Sequence, residues 1–143
     1  MKKIILPGIL AGIIMLVASM ALGYVFQVIL FPHLAQEYVN GIFRSWSDPL
    51  MSIYFVYPFI LGIILAWAWN MLKPILVQKR KWERGICFGF GIWLVSSIPG
   101  MIMAYSSFKI SLIMTLTWLI TGLVDAIIAG IVFSKMNKID EVK

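Results

Sequence analysis

Charge is what this chain has least of. Acidic and basic residues fill only 13% of 143 positions, and histidine and cysteine occur once each. That scarcity excludes zinc sites built on several Cys and His ligands. It also leaves Cys87 unable to close an intrachain disulfide, so the redox compartment stays open. The chain contains no GxGxxG, P-loop, HExxH or CxxC pattern, which removes the nucleotide, zinc-protease and dithiol chemistries that sequence can announce. One carboxylate at membrane depth, with no acid, base or nucleophile beside it, makes a poor hydrolase. The expectation is a protein that is not an enzyme and needs no cofactor.

Apolar residues are abundant instead. They reach 62% of the chain, with a mean hydropathy of +0.96, far from the make-up of a soluble domain. Four stretches meet the length of about 20 apolar residues that a bilayer requires: 4–30, 49–72, 85–106 and 110–134. The expected fold is an all-α integral membrane protein. Residues 1–143 form a single domain of four antiparallel transmembrane helices, with a short amphipathic helix on the outer face. Too few residues remain outside the spans for a soluble catalytic domain. Met1-Lys2-Lys3 before an apolar run resembles a signal peptide, and Ser19-Met20-Ala21 could pass for a cleavage site. The run continues to Leu30, however, too long for a signal peptide's apolar region, so an uncleaved first helix is expected.

The net charge of +6 raises the question of nucleic acid, and the placement of the charges answers it. Lys2, Lys3, Lys73, Lys79, Arg80, Lys81, Arg84, Lys135, Lys138 and Lys143 fall at the N-terminus, the central loop and the C-terminus; only Arg44 and Lys109 fall in the other two loops. This is a positive-inside pattern. It predicts cytoplasmic termini, a multi-pass cell membrane protein of bacterial inner-membrane type, and no nucleic-acid partner. The cluster Lys79, Arg80, Lys81 and Arg84 is explained by topology alone; anionic lipid headgroups are the partner it would suit.

Loop one carries a helical period. His33, Gln36, Glu37, Asn40 and Arg44 share one face, and Ala35, Tyr38, Val39, Ile42 and Trp46 share the other, which predicts an interfacial helix within Phe31–Trp46. His33 and Glu37, four apart, are too few for a metal site and read as a solvated pair. Asp48-Pro49 is a helix start, with an acid at the N-cap and proline at N1. The turn at Tyr105–Lys109 is short enough to predict a tight antiparallel hairpin.

Small residues recur at helical spacing. Gly8 and Gly12, and Gly122, Ala126 and Gly130, are the candidate helix-packing positions, since close backbone approach is a common contact device in lipid. GxxxG alone is weak evidence for dimerisation. Pro99-Gly100 at mid-span predicts a kink that must be covered by protein or water.

Asp125 is the only Asp, Glu, Lys, Arg or His within the four spans. An acid at that depth costs roughly 2.5–3.5 kcal/mol to insert, so it marks a site or a packing contact. Counting from the basic ends brings it level with Gly12 and near polar groups of Trp93, Ser96, Ser97 and Asn70. The candidate proton or ion site is therefore Asp125, Thr121, Ser96, Ser97 and Asn70. The leading expectation is a homo-oligomeric transport or channel-like protein using Asp125. The alternative is an accessory subunit, bound to a membrane-protein partner, in which Asp125 is a helix-packing residue.

Overall fold

The computed structural model describes residues 2–39, 43–78 and 80–136, and among them every regular element is helical. In chain order these are α1 (Lys2–Tyr24), α2 (Leu34–Val39), α3 (Ile53–Leu72), α4 (Lys81–Ser107) and α5 (Leu112–Met136). Four segments are long and apolar enough to cross a membrane: Ile4–Leu30, Pro49–Leu72, Lys81–Ser107 and Leu112–Met136. The first includes a π-helical continuation of α1, Val25–Leu30, closed by the Phe31 amide donating to the Phe26 carbonyl at 2.8 Å.

Local chemistry sets the boundaries. Asp48 takes extended backbone and its carboxylate accepts from the Leu50 amide at 2.9 Å, with Pro49 at the first position of a 3-10 turn, Pro49–Ser52, leading into α3. Pro74 has no N–H with which to continue α3. The third span begins at Lys81, earlier than the apolar stretch from Gly85, because helix geometry continues through Trp82, Glu83 and Arg84 into the polar interface. The fourth starts at Leu112 because Ser111 serves as its cap, its hydroxyl accepting from the Met114 amide at 3.1 Å.

Two tight hairpins make the bundle, α1 on α3 and α4 on α5, joined mainly by a seam between α1 and α5. Each hairpin is closed by glycines. A Cβ on Gly8 would stand 2.7 Å from Ile63 Cα, and one on Gly12 would stand 2.9 Å from Phe59 Cα, while Gly62 lies directly on the Gly8 carbonyl. In the other hairpin Gly85 meets the backbone of Gly130, and Gly89 that of Ala126. Gly8, Gly12, Ala126 and Gly130 are thus in contact within one chain. Backbones this close gain dispersion contact along their whole length, the means of association left in lipid where apolar burial gives no drive.

Two clusters pin the ends. Near the termini, Trp69, Phe88 and Phe133 meet with Ala11, Met15, Leu65, Ala66 and Ala129. Trp69 and Phe88 pack edge to face at 5.2 Å and 87°. At the opposite end Leu34, Ile110 and Met114 are buried beneath Tyr38, Phe43 and Trp118. Large apolar side chains such as Leu6, Val17, Ile60, Ile64, Val95 and Ile102 face outward, as they do in a protein solvated by lipid.

Candidate functional site

The site grows from the seam between α1 and α5. Ser19, near the middle of the first span, Ile4–Leu30, donates its hydroxyl to Asp125 Oδ2 at 2.6 Å, a charge-assisted length if the carboxyl is ionised. The other oxygen, Asp125 Oδ1, is buried and has no hydrogen-bond partner among the described residues. Thr121, one turn away on α5, donates to its own helix at Thr117 O, 2.9 Å, and does not reach the acid.

The partner of Asp125 is therefore Ser19, and the group expected from residue counting is dispersed. Ser96 is exposed on the far side of α4 and donates back to Ile92 O at 2.7 Å. Ser97 faces Gly122, its Oγ 3.3 Å from where a Cβ would stand. Trp93 uses its indole N–H on the Leu119 carbonyl at 2.9 Å. Asn70 sits at the end of α3, donating to Ala66 O at 2.9 Å and accepting from Lys73 Nζ at 3.0 Å. Gly12 belongs to the α3 contact and not to the acid. The count failed in register: with Ser19 opposite Asp125, Leu10 falls opposite Ser134, so the ends of α1 and α5 are not level. Lys135 can lie deeper than a short basic residue because its methylene stem carries the ammonium outward.

A second constellation closes the end of the bundle away from the termini. Glu37 on α2 accepts from the Ser111 amide at 3.0 Å, at the start of α5, and the Trp118 indole donates to Tyr38 Oη at 2.9 Å. Burial pushes the Tyr38 phenol above its usual 10.0, with the Trp118 bond acting the other way. Glu37 is thus tied to α5, not a solvated partner of His33. The described helix covers six residues, Leu34–Val39, with Leu34 buried, Val39 82% exposed and Trp46 69% exposed. Residues 40–42, including Asn40 and Ile42 of the expected faces, lie outside the described residues.

Within the basic segment the cations are unequal. Arg84 donates to the Gln78 carbonyl and Arg80 pairs with Glu83 at 3.8 Å, leaving Lys81 exposed on the first turn of α4. Lys79 lies outside the described residues. Cys87 is exposed, and its sulfur accepts from Gln78 Nε2 at 3.1 Å. Among the described residues no three metal-ligating side chains cluster.

Ser19 is absent from the expected site and figured only in the possible cleavage site Ser19-Met20-Ala21. The signal was present: it is the only hydroxyl among the residues of α1 before Tyr24. Comparison with known protein families, with curated proteins and with solved structures finds no match.

Proposed function

We propose that this small polytopic protein works in a bacterial-type inner membrane as a homo-oligomeric transport or channel-like protein, with Asp125 as its proton or cation site. The observation that supports the reading is the unpartnered Oδ1. If the carboxyl is ionised, Oδ1 lacks a donor; if Oδ1 is protonated, its O–H lacks an acceptor. Either state leaves one buried polar group unmet, a cost of about 1–3 kcal/mol, which a water, an ion or a polar group from another copy would relieve. A residue retained only for packing has no need of that deficit.

The Ser19–Asp125 bond favours a second reading. It ties α1 to α5, and in an accessory subunit that tie alone would explain the acid. The two readings part on Asp125→Asn in reconstituted vesicles under a proton or cation gradient. Transport requires that flux falls by more than tenfold while the oligomer survives; in the accessory reading no flux exists to lose. Asn retaining full flux would overturn the first reading.

The orientation belongs to the same proposal. The excess of ten basic residues against two supports cytoplasmic termini and a cytoplasmic central loop, with α2 on the outer leaflet in this reading. The chain carries out no covalent chemistry in this reading, and among the described residues Lys81 is the central-loop cation best placed to meet anionic headgroups.

A further inference from the structure

An apolar groove of about 380 Å³ runs along the α1–α5 seam, walled by Leu10 and Ile14 on one side and Ile128, Ile131 and Val132 on the other. Its volume lies within the range of small-molecule sites. One end is not apolar. Lys135, in the last turn of α5, lines the groove there and is exposed. From Ile128 to Lys135 the helix rises by about 10 Å at 1.5 Å per residue, so the groove is a hydrocarbon-lined slot with a cation at its mouth. The mouth lies at the end of the bundle that carries most of the chain's basic residues.

Given that the four helices lie in a bilayer, we infer that this groove is a binding site for one anionic phospholipid, an acyl chain lying against Ile14, Ile128 and Val132 and the phosphate headgroup meeting Lys135. Charge complementarity selects the occupant. A zwitterionic lipid would fill the slot equally well but balances its phosphate with its own cation, whereas an anionic headgroup keeps a net charge for the ammonium and gains about 1 kcal/mol per basic residue near the surface. The depth agrees as well. The stem of Lys135 borders the apolar wall while its charge extends towards headgroup level, the arrangement long cationic side chains adopt at an interface. No central-loop cation lines the groove, and the site is independent of whether Asp125 carries anything.

The test uses the full chain, purified and stripped of lipid, titrated with dioleoyl phosphatidylglycerol or dioleoyl phosphatidylcholine and read by native mass spectrometry. The native chain should bind the anionic lipid roughly fivefold more tightly, the factor set by one basic residue. Lys135→Gln should bring the two lipids level, and Lys81→Gln should keep the preference. Filling the slot with Val132→Trp, or from the other wall with Leu10→Trp, should weaken both lipids while helicity by circular dichroism is retained. Equal affinities for the two lipids in the native chain, equal loss in Lys81→Gln and Lys135→Gln, or unchanged binding in both tryptophan variants would each overturn the assignment.

Discussion

Ser19 and Asp125 stand 106 residues apart in sequence and 2.6 Å apart in space, and their bond is the polar tie across the α1–α5 seam. Ser19→Ala should therefore loosen this seam and leave both carboxyl oxygens without a partner. The expected loss is about 0.6–2 kcal/mol, the range for intramembrane hydrogen bonds, measured by unfolding in mixed micelles. Asp125→Ala should cost no more than Ser19→Ala, because it removes the unpartnered oxygen along with the bond. A Ser19→Ala variant as stable as the native chain would remove the tie from the account of the seam.

The glycine contacts give a paired prediction. Gly89→Ala and Gly130→Ala must push α4 from α5, since the neighbours of the added methyl are backbone atoms, at a cost of about 1–3 kcal/mol for overpacking. Gly91→Ala and Gly100→Ala meet nothing within 4 Å, and should be neutral or slightly stabilising through helix propensity. Thermal midpoints of the four variants in one detergent check this; equal shifts in both pairs would contradict the hairpin geometry.

At the start of the second span, pH is the probe. The Arg44 guanidinium, first, and the Leu50 amide hold the Asp48 carboxyl below its usual 3.8. A depressed folded value contributes stability above the unfolded pKa and loses it as the pH falls through the folded one. Protection of the Leu50 amide from hydrogen exchange should hold at pH 5 and above, after correction for intrinsic rates, and decline only below 3.8. A decline already complete at pH 5 would show that Asp48 does not cap this turn.

The clasp at the same end of the bundle predicts coupling. Glu37 and Tyr38 reach Ser111 and Trp118 from one six-residue helix, so Glu37→Ala and Trp118→Phe should each raise proteolysis within residues 31–48. Their combined effect on stability should fall short of the sum, as for residues in one network. Strict additivity in a double-mutant cycle would mean that the two contacts act alone.

How far the sequence discloses this molecule depends on the length scale of the signal. Four apolar runs broken by Lys73-Pro74 and Asp48-Pro49 mark the spans, and the Asp48 cap is read directly from an acid followed by proline. The glycine spacing marks contact faces, because close approach in lipid requires small residues wherever it occurs. Which helix meets which face is not written locally. Gly8 and Gly12 could have served a second copy, and only the complementary Gly62 on α3 absorbs them. Register is lost for the same reason: basic flanks locate a span's ends to within the reach of a lysine stem, several ångströms, and that error moved the partner of Asp125 from Ser19 to Gly12. In loop one the period identified polar and apolar faces, but Glu37 accepts from the Ser111 amide at the start of α5, a tertiary contact that helical spacing does not encode.

The order of synthesis gives the α1–α5 seam a further meaning. Domains fold from the N-terminal side as they are made, so the α1–α3 hairpin can close through Gly8, Gly12 and Gly62 while α5 is still unmade. Ser19 is then in place on α1 before its carboxylate partner exists. Asp125 arrives with the last of the four long helices, and its insertion, costly for an isolated acid, takes place beside a donor already in position. Biogenesis of this chain thus delivers the partner before the residue that needs it.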